Sequence, residues 1–578
     1  MQFSIKKFEF LRIEETKLRI YFFLSCLFVL IACGLNIYLP IQAKNIVKLA
    51  YGEFSSYEML SVSFIYAMIW IACQLCLTTR EILMIPVSER LISRLSLQTM
   101  EHLQALSYEY HSSAQTGELI AKLKKAQIAL PNMLWGFFFF TIPPFIEIIG
   151  AVCILLIYNF YFCGFILLTT FTVFMVYTVM SAKKAVLFHK RSQSYDGDVN
   201  AKLADSLMNF EAVKYFGNEK LEQDNYKKHL ENREKAEITS LVFLEKVRIF
   251  QFLILGIGFF IITISTAVNI VDKKMNLGDF VLINTYLIQF FNPLSFLAIV
   301  FRNIFRGGND LKLILSIFDV QRPPKASQSL KHFCETIEFK NLSFSYKDTE
   351  ILKNISFKIH KGEKIGFVGP VGSGKTTIAK LLLKLCDPMK GKVLIDGKEI
   401  SSIDVNDLKK HIGIIPQNTN IFNDTFLYNL SYGKPDASEE QVKSVAQLLS
   451  LESFISQTSQ GYNTVIGQQG ISLSGGQKQS IGAARLALKN PEIVILDEVT
   501  SSLDSHSEAR ILEYLDHFCR DKTTIIIAHK FSHVMHCDKI FVLNEGHLVE
   551  HGNHQTLLAL DGVYKKMWDI QVKKVELV

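Results

Sequence analysis

The stretch "GPVGSGKTT", residues 369 to 377, has the composition of a phosphate cradle. It follows the apolar run "KIGFV" and precedes "IAKLLLKL", so the pattern predicts strand, loop and helix in that order. In that setting Gly369, Pro370, Val371, Gly372, Ser373 and Gly374 let backbone N–H groups curl around the β- and γ-phosphates of ATP. Lys375 adds a point charge, the Thr376 hydroxyl is placed to ligate Mg²⁺, and Thr377 completes the loop. ATP and Mg²⁺ are the cofactors this chemistry requires.

A second segment, "PEIVILDEVTSSLD", has four apolar residues that read as a buried strand ending at Asp497 and Glu498. Neighbouring residues at a strand end diverge. Asp497 can therefore face Mg²⁺ while Glu498 faces the attacking water as general base. His529 in "TIIIAHKF" follows another buried strand and is expected at the same rim, in reach of the γ-phosphate.

"LSGGQ" raises a different question. Ser474, Gly475, Gly476 and Gln477 lead into the apolar "SIGAARLAL", which predicts a helix whose free N–H groups form an anion site. A γ-phosphate already surrounded by Lys375, Glu498 and His529 leaves that site no role in its own subunit. The expectation is that it completes the ATP site of a second chain, with two ATPs sandwiched head to tail.

The elements that must position these groups divide the chain. Six apolar stretches, about 20–42, 58–79, 133–157, 160–181, 247–270 and 279–301, are long enough to cross a ~30 Å hydrocarbon core. The third and fourth are joined only by residues around "YNFYF", a tight hairpin. Lys6, Lys7, Arg12, Lys17 and Arg19 precede the first span, and Arg80, Arg90, Arg94, Lys122, Lys124 and Lys125 follow the second. No Lys or Arg lies between the third and fourth, so the N-terminus and both long excursions, about 80–132 and 182–246, are expected on the cytoplasmic side. The excursions read as helical extensions of the spans. The fold class is therefore a membrane α-helical six-span domain over 1–320, a linker over 321–334, and an α/β P-loop NTPase domain over 335–578.

Several bland readings also follow. The net charge of +7 comes with no basic stripe interleaved with aromatics, so nucleic acid is not an expected partner. The N-terminus carries acidic residues and lacks a cleavable-signal pattern. Cys73 and Cys76 form a CxxC inside a span, where they read as small apolar residues. "HVMHCD" has no complementary ligand pair to make a metal site. Glu147 reads as a structural hydrogen-bonding group; Gln251, Asn284 and Gln289, also within spans, read as cavity lining, with interhelical hydrogen bonding the alternative.

Taken together, the motifs make the C-terminal domain resemble the nucleotide-binding domain of ABC transporters, and the whole chain resembles a half-size exporter. The resemblance implies that Tyr346 stacks on adenine, that Gln417 in "IIPQNT" contacts Mg²⁺ and the membrane domain, and that Asp504 in "SSLD" lies in the loop bridging two nucleotide sites. It also implies a partner half-transporter, expected as a homodimer, within a lipid bilayer. "ADSLMNFEAVKYFGNE", "YHSSAQTGEL" and "NPLSFLAIVFR" are similar to the branch serving mitochondrial iron–sulfur export and bacterial heavy-metal tolerance. That branch implies a substrate such as glutathione or its conjugates, bound by an Arg pair after span four and an Asn-x-x-Gln in span five. Here the Arg positions fall on Ala185 and His189, and Arg248 stands in place of the Asn before Gln251. Arg248 and Gln251, one turn apart, are expected to converge on a substrate carboxylate; anchoring of the cationic residues to headgroups is the rival reading. The function expected is ATP-driven export of anionic compounds across a bacterial inner membrane. The alternatives are a lipid or multidrug flippase and an ATP-gated channel.

Overall fold

The computed structural model describes residues 14–51, 56–114, 116–323, 326, 328–346, 349–467, 470–499 and 505–576. It divides into two units: Met1–Leu106 with Ala114–Arg322, and Ser107–Ser113 with Pro323–Val578.

The first unit is helical. Its elements are α1 (Thr16–Ala50) and α2 (Ser56–Gln104), then, after α3 (Tyr108–Ser113) of the second unit, α4 (Thr116–Trp135), α5 (Ile142–Ile157), α6 (Tyr161–Met208), α7 (Phe210–Phe216), α8 (Glu219–Val271) and α9 (Leu277–Leu315). Among the described residues, five helical stretches are long and apolar enough to cross a membrane: α1, α2, Thr116–Ile157, α6 and α8. The expected sixth span falls within α9, where the apolar segment is the shorter Leu277–Phe290. α9 starts at a capping box, in which Asn276 accepts from the Asp279 N–H and Asp279 accepts from the Asn276 N–H. Between α4 and α5 a π-helical turn, Gly136–Thr141, precedes Pro143 and Pro144, whose missing N–H groups deny the regular ladder its donors. α5 and α6 are joined by Tyr158–Phe160, with Asn159 at φ 62°, the tight hairpin expected.

The long excursions are continuations of the same helices. α2 has 49 residues, α6 has 48 and α8 has 53. Packing pairs α1 with α2, α6 with α8, and α4 with α9. Close approach of α8 to α6 depends on Gly258, where a Cβ would lie 2.4 Å from Thr170 Oγ1. Polar side chains tie the helices internally. Asn36 of α1 donates to Glu147 of α5 at 2.8 Å, and its Oδ1 lies 3.1 Å from the Cys73 thiol of α2. Its carbonyl accepts from Gln289 of α9 at 3.1 Å.

The described residues of the second unit form twelve strands: β1 (Thr336–Tyr346), β2 (Thr349–His360), β3 (Lys364–Val368), β4 (Lys390–Ile395), β5 (Lys398–Glu399), β6 (Ile412–Ile415), β7 (Asp424–Thr425), β8 (Val465–Ile466), β9 (Ile493–Asp497), β10 (Thr523–Ile527), β11 (Lys539–Asn544) and β12 (His547–Gly552). An antiparallel sheet has the order β2-β1-β4-β5; a six-stranded sheet has the order β12-β11-β3-β10-β9-β6. In the latter, β11, β3, β10, β9 and β6 run parallel. β9 is buried at every residue, as expected of an all-apolar strand covered on both faces. One core, containing Phe339, Phe357, Phe367, Ile378 and Ile525, packs the antiparallel sheet, β3, β10 and helix α10 (Lys375–Leu382) together. A second core gathers the helices between β6 and β10 around Leu430, Val442, Ile481 and Leu515.

Candidate active site

Strand register decides which loops meet. Phe367 of β3 lies beside Ile527 of β10, Ile527 beside Asp497 of β9, and Leu496 of β9 beside Ile415 of β6. Four adjacent parallel strands therefore end at one level. The segments leaving them carry Gly369–Gly374, His529, Asp497–Glu498 and Gln417, the place where open α/β sheets bind ligands.

The loop after β3 is shaped by its glycines. Gly369 has φ 155°, and a Cβ there would sit 2.1 Å from the Leu543 carbonyl oxygen. Gly374 has φ 101° and caps α10, where a Cβ would sit 2.5 Å from Leu352. Val371 stands exposed at the loop's tip, whereas Ser373, Lys375 and Thr377 are buried. Lys375 Nζ donates to the carbonyls of Gly369 and Pro370, each at 2.8 Å, so the ammonium folds back over its own loop. Burial pushes Lys375 below the ordinary lysine range, opposed by the charges of Glu498 and Asp497. Ser373 Oγ is buried with no hydrogen-bond partner. An orphaned hydroxyl beside an ammonium in a glycine-formed cradle suits phosphate oxygens.

Thr376 Oγ1 donates to Asp497 Oδ1 at 3.3 Å. The Asp497 carboxyl is pushed up to about 6, first by burial and then by the neighbouring Glu498; the Thr376 bond and Lys375 oppose this. A hydroxyl facing a buried carboxylate is a hard-oxygen pair that fits Mg²⁺, and a cation there would return Asp497 to its charged form.

Glu498 departs from the strand. Its φ of 49° is in the left-handed region, costly for a side chain of this size, and its N–H donates to Ile527 O at 2.9 Å. The turn sends its side chain away from Asp497 to two partners. Glu498 Oε1 lies 2.8 Å from His529 Nε2, and Oε2 accepts from Gln417 Nε2 at 2.6 Å. Three residues read separately from the sequence thus share one carboxylate.

Tyr346 ends β1, where its hydroxyl accepts from Lys380 Nζ at 3.4 Å. Lys380 is 5.1 Å from the ring centre of Tyr108 on α3 and 5.6 Å from that of Tyr346. Lys380 and Tyr108 escaped the sequence reading, although Lys380 falls one helical turn beyond Thr376, a spacing that puts both on one face.

Ser474 is the N-cap of the helix Gly475–Lys489. Its Oγ accepts from the Gln477 N–H at 3.2 Å, and Gln477 Oε1 accepts from the Ser474 N–H at 2.9 Å. The helix start is as expected, but the Gln477 N–H and the Gln477 side chain are engaged in this reciprocal cap. Ser474 remains exposed. Asp504 lies outside the described residues.

The expected substrate residues fare differently. Gln251 is fully buried and donates to Thr178 Oγ1 on α6 at 2.7 Å, an interhelical bond where cavity lining was expected. Arg248, one turn earlier, pairs with Glu245 at 3.0 Å on a more exposed face of α8, so it does not converge with Gln251. Although a separation of three residues leaves the two on neighbouring positions of the helix surface, each is drawn to a different partner, Arg248 to Glu245 on its own helix and Gln251 to Thr178 on α6. Asn284 donates back to the Phe280 carbonyl at 3.0 Å, and Gln289 bonds the α1 backbone. His189 has its Nε2 buried without a partner. Within electrostatic reach of it are Arg302 and Arg306 of α9, Lys125 of α4 and Glu237 of α8. Arg302 Nε is also buried and unpartnered. Sequence reasoning missed Arg302 and Arg306; the signal available was their i, i+4 spacing in "FRNIFR", which predicts one helix face.

Residues 352–501 match the family described as ABC transporter, and residues 22–294 match the ABC transporter transmembrane region. "Heavy metal tolerance factor 1" of Caenorhabditis elegans is 33% identical over 561 residues, covering 95% of this chain and 70% of the relative. "Iron-sulfur clusters transporter ATM1, mitochondrial" of Yarrowia lipolytica is 34% identical, covering 94% and 78%. Human "ATP-binding cassette sub-family B member 6" is 33% identical over 497 residues, and the chain spans 59% of its length. The solved structure titled "Structure of a bacterial Atm1-family ABC exporter with ATP bound" superposes with a TM-score of 0.88 at 31% identity, covering 96% of this chain and 98% of that one. On these grounds the chain belongs to the ABC transporter family as a half-size exporter with Atm1-type relatives, a multi-pass membrane protein that couples ATP hydrolysis to transport.

Proposed function

We propose that this chain exports small anionic compounds of the glutathione type, free or conjugated to metal, from the cytoplasm. The observation that carries this reading is a cluster of basic side chains in the first unit: His189 Nε2 and Arg302 Nε are buried without partners, and the charges of Arg302, Arg306 and Lys125, opposed by that of Glu237, act on His189. Buried donors that lack partners are costly, and a carboxylate-bearing ligand would satisfy several at once. The relatives' names, heavy metal tolerance and iron–sulfur cluster transport, support the same class.

In the second unit, Gly369–Gly374 and Lys375 would hold the phosphates, Thr376, Asp497 and Gln417 would hold Mg²⁺, and Tyr346 would meet the adenine. Mg²⁺, when bound, neutralises charge on the β- and γ-phosphates. Lys375 leaves the Gly369 and Pro370 carbonyls to add its charge to the phosphates. Glu498, oriented by His529 and Gln417, positions the water and accepts its proton. The exposed Ser474–Gln477 cap serves the ATP of a second, identical chain, and Asp504 joins that interface. Closure of the paired ATPase units drives the helices into an outward-open state, and hydrolysis resets them.

Six spans, with 1–320 as membrane domain, 321–334 as linker and 335–578 as ATPase, complete the reading. The basic N-terminal segment and first excursion put the ATPase on the cytoplasmic face of a bacterial inner membrane. Inside-out vesicles holding the purified protein test the function. ATP-dependent uptake of labelled glutathione disulfide supports it. Uptake of hydrophobic cations or lipid without glutathione derivatives replaces it with a flippase, and flux that needs ATP but not its hydrolysis and runs only down the gradient replaces it with an ATP-gated channel.

A further inference from the structure

The segment that carries His529 is short. On its β-sheet side it is anchored by the Ala528 N–H, which donates to Phe367 O on β3 at 3.3 Å. On its other side stands the C-terminal helix Val563–Glu576. Tyr564, Trp568 and Gln571 follow one another at spacings of four and three, which places them on one face. Tyr564 is fully buried; its ring meets Phe531 edge-on at 5.0 Å, and Trp568 meets the same ring at 5.7 Å. With the helix seated in this way, the Gln571 amide reaches the main chain on both sides of Lys530. Its Nε2 donates to the His529 carbonyl at 2.6 Å, and its Oε1 accepts from the Phe531 N–H at 3.0 Å. The Phe531 N–H can only donate, so the orientation of the amide is settled by chemistry.

We propose that Gln571 is a positioning residue for ATP hydrolysis, acting through His529. A primary amide spanning two backbone groups fixes both the height and the tilt of the peptide between them. The His529 side chain leaves that same peptide and meets Glu498 Oε1 at 2.8 Å. A few tenths of an ångström at the His529 backbone become a misplaced partner for Glu498, and geometry at a reacting centre is steeply coupled to rate. A glutamine is suited to the task because it supplies one donor and one acceptor at fixed separation. Leucine supplies neither, and an ionised glutamate would oppose the His529 carbonyl with a negative oxygen.

This inference rests on the assignment of His529 and Glu498 to hydrolysis, and the experiment separates the two. ATP turnover is measured on the purified full-length transporter in lipid nanodiscs for wild type, Gln571→Leu, His529→Ala and the double variant, the slowest by single-turnover hydrolysis of labelled ATP. Gln571→Leu is expected to lower kcat about 5- to 20-fold with KM for ATP changed less than about twofold. In the His529→Ala background, the same substitution is expected to have no further effect, because the group it positions has gone. Should Gln571→Leu be recovered in low yield, Gln571→Glu keeps the acceptor for Phe531 but sets a negative oxygen against the His529 carbonyl, and is expected to show a loss of similar size confined to kcat. Wild-type kcat in both Gln571 variants, with His529→Ala inactive, overturns the role of Gln571. So does a loss of the same factor on top of His529→Ala. Wild-type turnover in His529→Ala overturns the assignment of His529 itself.

Discussion

The P-loop site and the cluster around His189 both gather polar groups from several elements, by different means. At the first, main chain does the gathering. Parallel strands in register bring four loops to one level, glycines shape the cradle, and backbone carbonyls receive the lysine. At the second, side chains from α4, α6, α8 and α9 come within electrostatic reach of one another, and the side chains rather than the main chain decide the outcome. Backbone registry is discrete, so a motif placed on it has one outcome. A long side chain on a helix can turn to any of several partners, so two residues on neighbouring positions, such as Arg248 and Gln251, end at different ones.

The sharpest way to break the comparison is at the carboxylate that His529 and Gln417 share. Glu498→Gln should bind ATP and accumulate a closed dimer while turnover falls on the order of 10²–10³-fold. Near wild-type hydrolysis by the purified variant removes Glu498 as the base. Next in size is the arrangement of the two anion sites. Chains carrying Ser474→Arg and chains carrying Lys375→Ala, when mixed, should form dimers with one intact site and about half the wild-type nucleotide occlusion if the cap serves the opposite chain. Loss of occlusion at both sites requires the cap to serve its own.

A smaller effect is expected in the membrane unit. Arg302→Ala should weaken stimulation of ATPase activity by glutathione disulfide about 10-fold or more, the loss of a charge-assisted contact of ~1.5–3 kcal/mol. Arg248→Ala, whose guanidinium already pairs with Glu245, should leave the stimulation constant within about twofold. The reverse outcome in concentration–response curves would move the anion site to α8's outer face. Smallest of all, Gln251→Leu should lower thermal stability by ~0.6–1.7 kcal/mol, the range for one interhelical hydrogen bond, without changing substrate stimulation. A shifted stimulation constant at unchanged stability would restore Gln251 to the cavity.

Legibility followed the same division. Phosphate loop, acidic strand end, His529 and the N-cap at Ser474 could all be read from the chain, because each sits at a boundary where an apolar run stops and the backbone must turn. Glu147 was read as a structural group, and it bonds Asn36. What escaped was long-range pairing. Nothing local distinguishes Arg302, whose charge acts on His189, from Arg248, which pairs with Glu245; both are cations within a long helix. The sharing of Glu498 between His529 and Gln417 was also hidden, since it depends on a left-handed φ that no neighbouring residue type announces. The amide of Gln571 was invisible for the same reason: its partners are backbone atoms about 40 residues away.

α8 runs unbroken for 53 residues and contains no proline. At 1.5 Å per residue it is a rod ~80 Å long, far longer than a bilayer core is thick. A rod without a joint behaves as a lever: a tilt of about 3° at one end carries the other through about 4 Å, comparable to a full helical turn. The displacement that opens a path on one side of a membrane can therefore be supplied by a closure of atomic dimensions on the other. Inserting a helix-breaking Gly-Pro pair midway along α8 would be expected to leave hydrolysis running while transport stops.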